Sequence, residues 1–271
     1  MKTILVELDD DAAEDGRLDC AADLARAFTS HVIGLQVTPF ADLVGFDMFG
    51  GVFTLPTVLD AVAQREATIR ASFETKMGQE ELSWEFRHFE GTPAGVTGQQ
   101  SRLADLVLVA KPGDADRARK RLAHVGELAL SSAAPLLAIP SGQRRFDPLG
   151  KAIVAWNGSP EASAAVRAAL PMLKLALEVT VLSAEDPDAQ WDIPPTALAE
   201  FLSRHGVHAS VERITAISSN VPVSLMREVS DRQPAYLVMG AYGRARASEW
   251  MLGGVTRRML QELSLPVLMS H

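Results

Sequence analysis

Gly240, Gly243, Gly253 and Gly254, with Arg244 and Arg246 between them, are the residues of this chain whose types and spacing could do chemistry. That chemistry is phosphate binding. A short apolar run, Ala235 to Met239, ends at Gly240 and suits a buried strand. After the second glycine pair, VTRRMLQELS reads as a helix. Strand, glycine loop and helix N-terminus together make a cradle of backbone N–H groups for an anion. Glycine lets the backbone approach a ligand with no Cβ in the way. The first helical turn adds N–H donors and partial positive charge. The spacing is G-x2-G-x9-G. It is neither the P-loop pattern, which needs Lys-Ser/Thr after its last glycine, nor G-x-G-x-x-G. The alternative role for these glycines is to cap helices and turn loops.

The elements that would position them recur twice along the chain. KTILVELDDD and KAIVAWNGSP each open a half with a β-rich run and a polar turn, followed by an alanine-rich helix. Leu18, Ala21, Ala22, Ala25 and Phe28 form one helical stripe, and Ala162, Ala165, Val166, Ala169, Leu170 and Leu173 the other. Ser159 suits an N-cap and Pro160 the first helical position. Second strands are expected at His31 to Thr38 and Glu178 to Ser183, third strands at Trp84 to Phe89 and Ala209 to Arg213. Fourth strands are expected at Asp105 to Ala110 and Ala235 to Gly240, and last strands at Pro135 to Ile139 and Pro266 to Met269. Pro39 to Thr57, with several phenylalanines, reads as an insertion before a helix from about Val58 to Met77. Alternating strands and helices predict α/β architecture with parallel sheets. PSGQRRFDPLG between the halves suits a linker. The expected division is residues 1–140, a linker at 141–150, and residues 151–271.

The glycine spacing directly after a strand resembles the nucleotide-binding signature of the universal stress protein family, and the repeat extends that resemblance over nearly the whole chain as a tandem member. The resemblance implies two Rossmann-like domains of the adenine nucleotide alpha hydrolase-like type, each a five-stranded parallel sheet of order 3-2-1-4-5. It implies that the two pair as a family dimer does, with Leu136 to Ile139 beside Val267 to Met269. Pairing of two whole chains into a homodimer is also common in such a family. The ligand implied is ATP, ADP or AMP, with Mg²⁺ as a candidate companion. By resemblance, Gly240, Gly243, Arg244, Gly253, Gly254, Val255 and Thr256 surround the phosphates, and the backbone at Leu182 and Ser183 forms the adenine wall. Where the family usually has aspartate at the end of strand one, this chain has Asn157, which could read a base edge or simply shape the turn. Where the family usually has Ser or Thr after the third glycine, this chain has Gly254, with Thr256 two residues on. The first half lacks the motif: Ala110 stands in place of Gly240, and only Gly113 matches. Its run Asp9, Asp10, Asp11 reads as an acidic helix start, and no nucleotide binding is expected there.

Composition narrows the function classes. A formal net charge of -8 speaks against a general nucleic-acid or membrane-surface binder. The acidic N-terminus does not read as a signal peptide, and no apolar run approaches the roughly 20 residues that span a bilayer. A cytoplasmic protein is expected. Cys20, the single cysteine, falls on the apolar stripe of its helix. His205 and His208 flank a turn with no third ligand nearby, which fits a surface turn better than zinc. Arg257 and Arg258 open the last helix, either near a phosphate or on a solvated face. No general base accompanies the glycine loop, so hydrolysis is expected to be slow at most. Two other classes stand beside the nucleotide-binding sensor: an interaction protein with a decayed site, and an α-hydrolase-type enzyme. The last needs an S-G-G-x-D-S loop that neither LDDDAAED nor WNGSPEAS supplies.

Overall fold

Each half of the chain contributes five strands to one ten-stranded sheet, the central ones apolar, seen in a computed structural model that describes residues 1–9, 14–39, 45–46, 52–53, 56–111, 115–185, 193–215, 221–241 and 254–271. The first half runs β1 (Thr3–Leu8), α1 (Glu14–Phe28), β2 (His31–Thr38), the two short strands β3 (Gly45–Phe46) and β4 (Val52–Phe53), then α2 (Pro56–Gly78), β5 (Ser83–Glu90), α3 (Pro93–Gln100), β6 (Leu106–Ala110), α4 (Ala115–Ser131) and β7 (Leu136–Ile139). The second runs β8 (Ala152–Ala155), α5 (Pro160–Leu173), β9 (Val179–Glu185), α6 (Pro195–Arg204), β10 (Ala209–Thr215), α7 (Val221–Arg232), β11 (Tyr236–Gly240), α8 (Gly254–Glu262) and β12 (Val267–Ser270). The hairpin β3–β4 lies within the stretch that reads as an insertion; Gly45 faces Phe53 and Phe46 faces Val52.

The sheet order is β10-β9-β8-β11-β12-β7-β6-β1-β2-β5. Thus β1 lies between β2 and β6, and β8 between β9 and β11. All pairings are parallel except β12 with β7, which is antiparallel, with Leu268 opposite Leu137. Joining these two strands covers the edge that each half would otherwise leave unpaired.

Strands this apolar must be covered on both sides. Helices α1, α2, α5 and α6 cover one face over Ile4, Val6, Phe73, Val154 and Ala165, while α3, α4, α7 and α8 cover the other over Leu5, Val107, Leu128, Leu237 and Met259. Phe73 of α2 is fully buried and stands edge-on to Trp84, with ring centroids 5.6 Å apart. It lies against Gly34 of β2, where a Cβ would come within 2.6 Å of the ring. The stretch that reads as a linker is packed: Phe146 is buried, its ring is 5.4 Å from that of Tyr236, and its backbone N–H donates to Asp23. Among the described residues, no helix is long and apolar enough to cross a membrane.

Candidate functional site

In an open parallel sheet, ligands lie at the C-terminal ends of strands where neighbouring connections diverge to opposite faces. One such place lies between β8 and β11; a second candidate lies at the ends of β1 and β2, beside the divergence between β1 and β6.

At the first, the register aligns Ala155 with Leu182 and with Met239. One residue further along these strands stand Trp156, Ser183 and Gly240, and then the exposed Asn157. The turn after β8 has a defined shape. The Asn157 Oδ1 accepts from the Ser159 N–H at 3.1 Å, Gly158 has φ of +73°, and the Ser159 hydroxyl caps α5 by accepting from the Ala162 N–H. Asn157 therefore performs the turn-shaping role. Leu182 and Ser183 are buried inside β9, and the Leu182 carbonyl accepts from the Trp156 N–H. A Cβ at Gly240 would lie 2.5 Å from the Ala162 nitrogen and 2.8 Å from the Glu161 carbonyl carbon. The glycine is thus what allows β11 to approach the first turn of α5. Gly254 is the first residue of α8, exposed, and a Cβ there would meet nothing within 4 Å. Val255 is half-buried and Thr256 buried in the same turn. Arg257 is exposed, and Arg258 pairs with Glu262 along the helix surface at 2.7 Å. Gly243, Arg244, Arg246 and Gly253 lie outside the described residues.

At the second place the structure holds a cavity of about 430 Å³. It is built from polar residues of β1 and β2 and from α2, α3 and α4. Glu7 is buried, accepts from the Thr97 hydroxyl at 2.7 Å and from the His124 Nε2 at 2.9 Å. Asp9 takes Arg17 on one carboxylate oxygen and Arg121 on the other, the latter at 2.6 Å. Arg17 is 0% exposed and its Nε also donates to the Glu7 carbonyl. Across the cavity, the Thr38 hydroxyl donates to Glu66, which also pairs with His88. The acidic reading of Asp9 is thereby corrected. Its charge is matched by two arginines, one from α1 and one from α4, and the acidic first turn of α1 is made instead by Glu14 and Asp15. Asp10 and Asp11 lie outside the described residues. The glycine motif did not point to Glu7, Arg17, Gln36 or His124. The available signal was a glutamate in ILVEL and a glutamine in VIGLQV, polar residues inside strands otherwise apolar on both faces.

Burial opposes the charge on Asp9, but Arg17 and Arg121 outweigh it and hold its carboxyl below the usual range. Burial likewise works against protonated His124. Glu7, and more weakly Asp9, overcome that and the opposing Arg121, raising the imidazole above its ordinary value. A raised folded-state pKa means that the stabilisation is complete below the unfolded value of 6.5 and is lost as pH rises through the folded value. Lys111 acts in the opposite sense. It is 3% exposed, its Nζ has no hydrogen-bond partner among the described residues, and burial pushes its pKa down to about 7. The His124 contribution is therefore read as a difference. Urea midpoints of wild type minus His124→Gln are expected to be largest near pH 6 and to shrink on the alkaline side. A difference flat with pH would show that the Glu7–His124 pair carries no charge.

Other candidates resolve simply. Cys20 is buried, and burial raises its thiol to about 12. His205 and His208 are exposed. Among the described residues, no three His, Cys, Asp or Glu side chains are placed to hold a metal ion.

No family model matches this sequence, and no curated protein matches it either. Solved structures do. A universal stress protein from Archaeoglobus fulgidus DSM 4304 superposes with a TM-score of 0.77 at 15% identity, covering 98% of this chain and 94% of that one. A functionally unknown protein from Pseudomonas aeruginosa PAO1 superposes with a TM-score of 0.61 at 18% identity, covering 99% and 92%. At such identities the likeness is one of fold. Two stretches of strands and helices, a mostly parallel sheet and helices on both faces give this chain the Rossmann-like α/β fold of universal stress proteins.

Proposed function

We propose that this chain is a tandem universal stress protein, with domains at residues 1–140 and 151–271, that binds ATP or a related adenine nucleotide in its second domain. The observation that carries the reading is a convergence. The adjacent strands β8 and β11 lead to Asn157 and Gly240, and the glycine-rich sequence after β11 precedes the N-terminus of α8 at Gly254. Gly254 and Thr256 would lie beside the phosphates, Mg²⁺ would accompany them, and Ser183 and Leu182 would lie toward the base. The nucleotide would supply charge and bulk whose presence or loss shifts the loop. The paired strands β7 and β12 would then serve as the internal counterpart of a dimer interface, through which such a shift reaches the first domain or a partner protein. The role is sensing in a cytoplasmic stress response, with hydrolysis slow at most.

The test is nucleotide content and binding. Protein purified without added nucleotide is denatured and its supernatant resolved by ion exchange; ATP is then titrated into wild type and Gly253→Val. About one adenine nucleotide per chain, lost in the variant, is expected. Two per chain would assign a site to the first domain as well. No nucleotide and no heat at millimolar ATP would leave a second reading, an interaction protein with a decayed site. That reading is favoured by the Asn157 side chain, whose oxygen is spent on its own turn.

A further inference from the structure

The cavity of the first half has a chemistry unlike that of a phosphate cradle. Its carboxylates are already matched: Glu7 by Thr97 and His124, Asp9 by Arg17 and Arg121, Glu66 by Thr38 and His88. A cation entering it would compete with bonds already made. Two lining groups differ. Gln36 is 4% exposed, and among the described residues its side-chain amide makes no hydrogen bond. That amide is not sealed in the interior but open to the cavity, where a ligand group can meet its donor and its acceptor. Lys120, exposed at the rim, makes no ion pair among the described residues. Apolar lining comes from Leu35 and Val37 on the α3–α4 side of the sheet and from Val62 and Ile69 of α2 on the other.

We infer that this cavity binds a small organic carboxylate with an apolar body and one amide or hydroxyl group. Its carboxylate meets the Lys120 ammonium. Its amide or hydroxyl meets the Gln36 amide, which can donate and accept at once. Its body lies over the strand ends, against apolar lining from Leu35, Val37, Val62 and Ile69. The cavity volume is within the range of small-molecule sites. A nucleotide suits it less well. One unpaired lysine does not match a triphosphate, and β6 ends in Ala110, whose Cβ stands where the second half has Gly240. N-acylated branched or aromatic amino acids carry all three features.

The test uses the full chain, with N-acetyl-L-leucine and N-acetyl-L-phenylalanine as probes and their primary amides as uncharged controls, followed by calorimetry. At least one acid is expected to bind about tenfold or more tighter than its amide. Lys120→Met should remove that preference. Gln36→Leu should weaken acid and amide alike by about tenfold, and Gln36→Asn, which keeps an amide, should weaken them less. Lys120→Met changes an exposed side chain, so its result stands whether or not the Gln36 variants fold. Gly253→Val in the other half should leave all of these affinities unchanged, whatever it does to ATP. No heat from either probe at millimolar concentration, or equal affinity for acid and amide, would overturn the assignment. ATP binding lost in Lys120→Met but kept in Gly253→Val would overturn it too, and would make the cavity a nucleotide site.

Discussion

Arg17→Ala is expected to lower stability by about 3–5 kcal/mol, enough to shift the thermal midpoint by about 10 °C in a chain of this size. Arg17 is fully buried in the first turns of α1, and its guanidinium holds together two groups at the end of β1: the Glu7 carbonyl and the carboxylate of Asp9, just beyond the strand. Removing it takes a donor from the Glu7 carbonyl and leaves Asp9 with Arg121 from α4 as its remaining arginine partner. Uncompensated buried charge, rather than the net worth of the pair, makes such a change severe. It also removes the aliphatic stem from the packing. Two companions separate these causes. Arg17→Met restores volume without charge and should recover only the packing part. Arg17→Met combined with Asp9→Asn removes the unmatched charge and should recover more. Equal midpoints for Arg17→Ala and wild type would show that the arginine contributes nothing to the fold. The cavity should report the same loss, because Glu7 and Asp9 are the residues on which its polar wall is built.

Gly240→Ala is expected to cost about 2 kcal/mol, a fall of about 4–8 °C in the thermal midpoint. A single methyl group has this effect because of what it meets. The atoms within 3.0 Å of the new Cβ are the Glu161 carbonyl carbon, the Ala162 nitrogen and the Ala162 Cα, all backbone of α5. A side chain could rotate away, but the first turn of a helix can only shift as a whole. That turn is held by the Ser159 cap and follows directly from Asn157, so displacing it moves both sides of the proposed nucleotide crevice. ATP affinity should therefore fall together with stability. By contrast, Gly254→Ala meets open space and should leave the midpoint near that of wild type. If Gly240→Ala melted like wild type, the close approach of β11 to α5 would not hold in solution.

Much of the architecture was legible in the residues because it rests on local signals. Apolar runs such as ILVEL, LVLVA and YLVMG marked strands buried on both faces, and Ser159-Pro160 marked the start of α5 through its cap. No local signal in Leu136 to Ile139 or Val267 to Met269 marks that β7 and β12 pair antiparallel. The Pro39 to Thr57 stretch gave composition but no period, so the hairpin within it was not foreseen. Phe146 was hidden in a segment whose proline, glycine and charge read as linker, yet its ring packs on Tyr236.

The sequence by itself determined an α/β chain in two similar stretches, a buried cysteine, and a G-x2-G-x9-G spacing after a strand. Each of these depends on residues near one another along the chain or on a period of two or 3.6. Only the tertiary structure decided that Glu7 meets Thr97 and His124, that Asp9 lies between Arg17 and Arg121, and that Gln36 faces a cavity. These partners are separated by up to 117 positions. No local pattern records which distant arginine or histidine a parallel sheet will bring to the end of a given strand.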